Sequence, residues 1–387
     1  MKPLIYADNN ATTRVAPEVV HEMLPFCTEQ YGNPSSMYAF AQAPAKAMDT
    51  ARERVAALVG AERPDEIIFT SCGTESDNAA VFGTLAALPD KKHVVLSSVE
   101  HPAVYNLAET LQHRGCRTTM LRVDSQGIVD LDQLANSIWD DTALVSVMWA
   151  NNETGVVSPV KEIAAICRAK GVAFHTDAVQ AVGKLPVNVR EAGAQLLSLS
   201  GHKIHAPKGV GALYIKRGTR FRPFFVGGHQ EHGRRAGTEN VPGIVALGKA
   251  CELAAAYLQD EVTRVRALRD RLEREILARV PDSFLNGGGA DRTPNTTSIS
   301  FEYIEGEAIL LYMSDAGICA SSGSACTSGS LEPSHVLRAM GVPIELAHSA
   351  VRFSLSRYNT DADVDYIIDK LPPIIARLRE MSPFAPK

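Results

Sequence analysis

Two short segments carry residue types that could do covalent chemistry. Lys203 closes Ser200-Gly201-His202-Lys203, and Asp177 opens Asp177-Ala178-Val179-Gln180. Each segment follows an apolar run of strand character, residues 172–176 before Asp177 and 195–199 before Ser200. A lysine amine at one strand end can form a Schiff base with an aldehyde. A carboxylate at another can pair with a protonated pyridine nitrogen. Together they are the minimum kit for holding pyridoxal phosphate, and Ser200 and His202 sit where they could hold its phosphate.

Segment 70–78 offers a second anion site. Gly73 permits close backbone approach, and first-turn amides with the Thr74 hydroxyl can bind a phosphate. The same residues also read as an ordinary capping box starting at Ser71, so they gain meaning only beside Ser200 and His202. His101 precedes Pro102, which starts a helical pattern; its imidazole could stack on a flat ring and move protons near neutral pH, or simply cap the helix. Asn152 could bond a substrate carboxylate or the cofactor, or close an Asx turn. Gln180 could donate to the ring's phenolic oxygen. Arg352 alternates with apolar residues and is placed for a bidentate clamp on an α-carboxylate, with a surface ion pair as the plainer reading and Arg357 as the alternate.

The seven cysteines are odd in number and follow no metal-ligand spacing, which fits reduced thiols and a cytoplasmic protein. Cys326 stands apart, in the Ser/Gly-rich segment 320–330, where an exposed thiol is worth keeping only for use. Cys27, Cys116, Cys167, Cys251 and Cys319 lie in apolar or helical contexts and read as packing residues. Cys72, at a helix start, is the competitor for reactivity. His229-x-x-His232 and His202-x-x-His205 lack a third ligand, so no standing metal site is assigned. A transient iron–sulfur contact through Cys326 is the most that metal chemistry offers.

These residues must be positioned by something. Apolar runs at 66–70, 93–97, 144–148 and 172–175 alternate with amphipathic segments at 102–114 and 159–170. That is βαβ arithmetic, giving a large domain with a mostly parallel central sheet, helices on both faces and ligands beyond the carboxyl ends of the strands. A helical pattern over 241–280 leads to strands near 297–301, 317–321 and 351–356. A chain of 387 residues exceeds one small core. The expected division is a large domain over 15–260 and a smaller α+β domain from 1–14 and 261–387, carrying a loop at about 321–332. A net charge of −5 gives no nucleic-acid footprint. No run reads as the roughly 20 apolar residues that span a bilayer, and the N-terminus turns polar too soon for a signal peptide.

Taken together, segments 8–13, 32–36, 70–78, 100–102, 151–155, 175–180, 200–211, 227–240, 321–337 and 352–360 resemble the NifS-type cysteine desulfurases. These are class V aminotransferase relatives among the fold-type I pyridoxal-phosphate enzymes. The resemblance runs nearly end to end and implies that fold, together with a homodimer. It implies that Lys203 carries the cofactor, Asp177 pairs with the ring nitrogen, His101 stacks on the ring, and Gln180 and Asn152 contact it. Phosphate would fall to Gly73, Thr74, Ser200, His202 and, from the other subunit, Thr238. Arg352 and Asn152 would hold the substrate. Cys326, Lys203 and His101 would be catalytic. Only Ala7 departs, where leucine is commoner.

The implied reaction converts L-cysteine to L-alanine and leaves sulfur on Cys326 as a persulfide, for an acceptor such as an iron–sulfur scaffold. Segment 229–238 looks more like the nitrogen-fixation branch than the housekeeping one. A selenocysteine lyase would share this chemistry, and another aminotransferase-like enzyme would share Lys203, Asp177 and Arg352 without needing Cys326. A non-catalytic sulfur carrier or iron–sulfur scaffold is the remaining alternative, but one cysteine is too few ligands for a cluster.

Overall fold

The structure, a computed structural model, describes residues 4–322 and 333–385; Cys326 and most of its loop lie outside the described residues. In chain order the strands are β1 (Ile5–Tyr6), β2 (Ile67–Thr70), β3 (His93–Ser97), β4 (Arg117–Leu121), β5 (Thr142–Ser146), β6 (Ala173–Asp177), β7 (Leu196–Ser200), β8 (Gly211–Ile215), β9 (Ser283–Leu285), β10 (Thr296–Phe301), β11 (Ile318–Cys319) and β12 (Ala350–Ser354). Seven form the central sheet in the order β2-β8-β7-β6-β5-β3-β4. Only β8 runs antiparallel to its neighbours there.

The strands read as continuous apolar runs because both faces of the sheet are covered. Val95, Val145, Leu197 and Tyr214 belong to one core cluster, whereas Val94, Leu96, Leu144, Leu196 and Leu213 belong to another. Adjacent residues thus go to opposite faces, the period of two that a pleated strand imposes. A third core gathers Ile5, Ala7, Phe301, Val351, Phe353, Ile368 and other residues from 265 onward. It packs the three-stranded sheet β12-β10-β9 and the parallel pair β1-β11 against the helices Arg266–Arg279 and Asp361–Met381.

The long helical pattern is real and spans Val241–Arg279, but residues Glu261–Val265 form a π-helical turn inside it. Contrary to the sequence reading, this helix is long and apolar enough to cross a bilayer. Its apolar side chains have another use: Ile244, Val245, Leu247 and Cys251 are buried in the core, against the helix Gln42–Val59 among others. The amphipathic segment at 102–114 is two helices, Pro102–Tyr105 and Leu107–His113, that meet at Asn106. Cys27 corrects another expectation. It is exposed, whereas among the described cysteines Cys167 and Cys251 are the buried ones, with Cys167 pushed up to about 12 by burial.

Candidate active site

Parallel strands deliver their carboxyl ends to one sheet edge, and the polar residues predicted there meet at one cavity. Gly73 and Thr74 follow β2, His101 follows β3, and Asn152 follows β5. Asp177 ends β6; Ser200 ends β7 and opens the short turn Gly201–Lys203. These residues, with Gln180, His202 and Lys203, line a cavity of about 240 Å³ closed by Asn10, Ala11 and Arg352.

The anion end is built by close packing. Gly73 begins the 15-residue helix Gly73–Ala87, and a Cβ there would lie 2.9 Å from Val179 Cγ2 and 3.4 Å from Ser200 Cβ. Glycine is what lets the helix N-terminus reach the ends of β6 and β7. The cap itself is not Ser71. Cys72 Sγ accepts the Glu75 N–H at 3.4 Å, and Glu75, held by Arg235, accepts the Ser71 N–H at 2.7 Å.

The floor is acidic and buried. Asp177 is buried, and burial pushes its carboxyl up; the Val179 N–H, donating to Oδ1 at 2.9 Å, and Lys203 pull it back down. Asp77, one turn into the helix Gly73–Ala87, is buried beside it and pushed up further by burial and by the Asp177 charge. Lys203 Nζ donates to the backbone oxygens of Asn10, at 2.5 Å, and Ala11, at 2.8 Å. His101 caps its helix after all, since Nδ1 accepts the Ala103 N–H at 3.1 Å, but it also lines the cavity. Burial, Lys203 and His335 push it down to about 4, so near pH 7 the ring is neutral with its proton on Nε2. His202 is likewise lowered to about 4, by burial first and then by Lys203, and its Nδ1 lies 3.1 Å from Thr12 Oγ1.

Arg352 is not an open clamp. Its Nη1 donates to Asn152 O at 2.8 Å and its Nη2 to Asp8 Oδ1 at 2.8 Å, leaving Nε without a partner among the described residues. Thr238 is exposed and does not line the cavity within one chain. Two polar residues lining the cavity, Asn10 and Asp77, were not singled out from sequence; nor was Lys184, which lies outside the cavity and bonds to Asn10 and Gln180. Among the described residues no group of three or more His, Cys, Asp or Glu is gathered as for a metal ion.

Comparison with known proteins bears on this geometry. The aminotransferase class-V model matches residues 5–367. A cysteine desulfurase from Nostoc sp. is 57% identical over 98% of this chain and 95% of its own length. The cysteine desulfurase NifS of Azotobacter vinelandii is 56% identical over 98% and 94%. The chain belongs to the aminotransferase class-V family, in its NifS-type cysteine desulfurase branch. A solved NifS-like protein superposes with a TM-score of 0.91, covering 98% of this chain and 100% of its own at 38% identity, so this NifS-type chain has the fold-type I architecture.

Members of this family depend on pyridoxal phosphate, and the cavity of this class-V chain has the groups to take it. Among the described residues, Ser200 Oγ, Asn152 Oδ1 and Arg352 Nε are buried there without partners, which a protein rarely tolerates unless a ligand completes them. A buried carboxylate and a helix N-terminus lining one cavity match a ligand with a cationic and an anionic group.

Proposed function

We propose that this cysteine desulfurase binds pyridoxal phosphate through Lys203, converts L-cysteine to L-alanine and leaves the sulfur on Cys326. The convergence of Lys203, Asp177, His101 and the anion-binding end on one cavity carries the reading. Bound pyridoxal phosphate supplies an electron-withdrawing ring that acidifies the Cα–H of an attached amino acid. Asp177 holds a proton at the ring nitrogen; Gly73, Thr74, Ser200 and His202 fix the phosphate. Asn152 and Arg352 orient the substrate carboxylate. The Lys203 amine takes the Cα proton. His101, neutral and buried, packs on the ring and offers its Nε2 proton to the sulfur steps.

The Cys326 thiolate then attacks the substrate sulfur. The S–S bond forms as the Cβ–S bond breaks, the bonding pair stays on Cβ, and a proton replaces the sulfur. The Cys326 persulfide passes its sulfur to an acceptor protein such as an iron–sulfur scaffold of the nitrogen-fixation type. A homodimer in a reducing cytoplasm suits this chemistry. Exposed Thr238, close in sequence to the exposed Phe224, Phe225 and Val226, supports a second copy whose cavity Thr238 reaches. The division into 15–260 and 1–14 with 261–387 is supported by the separate cores and by the π-helical turn at Glu261–Val265.

The test compares alanine and sulfide release from L-cysteine by wild type and Cys326→Ala, while recording each protein's visible absorption with pyridoxal phosphate. Both proteins should be yellow and only wild type should release sulfide. A colourless wild type removes the role given to Lys203, and full turnover by Cys326→Ala removes the role given to Cys326.

A further inference from the structure

Lys184 has no part in the chemistry above, yet it is only 5% exposed, in the turn after β6. A lysine is almost never buried without partners. Its Nζ donates to Gln180 Oε1 at 2.5 Å and to Asn10 Oδ1 at 3.0 Å. Lys203, Glu261 of the π-helical turn and Arg352 of β12 exert their charges on it. A cavity of about 20 Å³ lies between Lys184, Lys203, His205, Tyr257, Glu261 and Arg357. Burial pushes Lys184 down to about 7, with Lys203 and Arg352 acting the same way and Glu261 opposing.

These contacts decide which way Gln180 faces. In its charged form the Lys184 nitrogen has donors only and so meets the oxygen end of the amide. At the other end Gln180 Nε2 donates at 3.0 Å to the backbone oxygen of Asn10, which can only accept. The amide is therefore pinned at both ends. Because Gln180 lines the main cavity, the second hydrogen of its NH2 is what it has left for a ligand there. Asn10 is pinned in the same manner. Its Oδ1 accepts from Lys184 and Asn295 and its Nδ2 donates to Asn152 O and Thr296 Oγ1, while its backbone oxygen receives Lys203.

We propose that Lys184 is a positioning residue that holds Gln180 Oε1 so that the Gln180 NH2 faces the phenolic oxygen of the bound ring. It acts on the proton at the Lys203 nitrogen through that contact. The inference rests on the pyridoxal-phosphate reading and goes beyond it. A donor to the phenolic oxygen competes with the proton that this oxygen shares with the Lys203 nitrogen, so losing the donor makes that nitrogen hold its proton to higher pH.

The experiment titrates the visible absorption band of the cofactor-loaded protein for wild type, Lys184→Met, Gln180→Leu and the double variant, with a melting temperature for each. Lys184→Met and Gln180→Leu should each raise the midpoint by about half a pH unit or more. The double variant should rise no further than Gln180→Leu alone, because the two act through one contact. Lys184→Gln, whose amide can still donate to Gln180 Oε1 without a charge, keeps the wild-type midpoint and serves if the Met variant does not fold. A lowered melting temperature with an unmoved midpoint makes Lys184 merely structural and overturns the proposal, as do additive shifts or a Lys184→Gln midpoint equal to that of Gln180→Leu. A wild type that takes up no pyridoxal phosphate overturns the underlying reading as well.

Discussion

Arg352 is held by the chain itself before any substrate is considered. Its ion pair with Asp8 joins a side chain 3% exposed to one 18% exposed, so the Asp8 end is the one open to exchange. If a substrate carboxylate replaces Asp8 at Nη2, Asp8 is a competitor for the same guanidinium. Asp8→Asn should then lower KM for L-cysteine by about fivefold, the order of a partly exposed ion pair worth about 1 kcal/mol. Arg352→Lys should raise KM by about tenfold or more, since an ammonium cannot reproduce the fork. Steady-state kinetics reads both, and a higher KM in Asp8→Asn would show that Asp8 orients Arg352 rather than competing with substrate.

At the scale of elements, what was legible in the sequence followed from burial. β3, β5, β6 and β7 are covered on both faces and announce themselves as apolar runs; β4 at the sheet edge, with Arg117, Thr118 and Thr119, does not. The strand-end residues were legible because a polar residue after such a run has one place to go. Asn10 was not, because its bond to Lys203 joins positions 193 residues apart, and Lys184 was not, because its partners meet only once β6 turns back.

The same limit hid the lock on the other sheet edge. Glu231, buried and at φ 46°, takes a bidentate contact from Arg52 at 2.7 and 2.8 Å and accepts the Phe69 N–H of β2 at 2.9 Å. Arg52 in turn donates to Ile67 O at 2.6 Å, so the pair satisfies backbone groups that edge strand β2 would leave bare. Glu231→Ala strands a buried guanidinium and an edge amide, and should cost about 3–5 kcal/mol in urea unfolding. Replacing both partners, as Arg52→Met with Glu231→Leu, should cost less. A single variant as stable as wild type would mean that the ion pair contributes nothing net.

Across the whole molecule, two populations of buried groups set the response to pH. Burial pushes His101, His202 and His205 down to about 4, His175 to about 3, and lowers His93 and His335. It pushes Glu100 up to about 8 and Glu153 and Glu261 up to about 7. A depressed histidine contributes stability that is whole above its unfolded value near 6.5 and is lost as pH falls toward its folded value. A raised carboxyl does the reverse: its contribution is whole below the unfolded value and is gone once pH passes the folded one. Between about 4.5 and 6.5 the two oppose each other; above 6.5 the histidines stop contributing slope and the carboxyls continue.

Glu100 isolates the second effect. Its Oε1 accepts from Ser97 Oγ at 2.5 Å and from the Met148 N–H at 2.8 Å, and a glutamine oxygen can accept both. Glu100→Gln therefore keeps the contacts and removes the titration. Urea unfolding at pH 5, 6.5 and 8 should show the variant gaining on wild type as pH rises, with a slope approaching about 1.4 kcal/mol per pH unit. A constant difference across that range would place the Glu100 carboxyl back near its ordinary value, with water reaching a side chain that this fold buries completely.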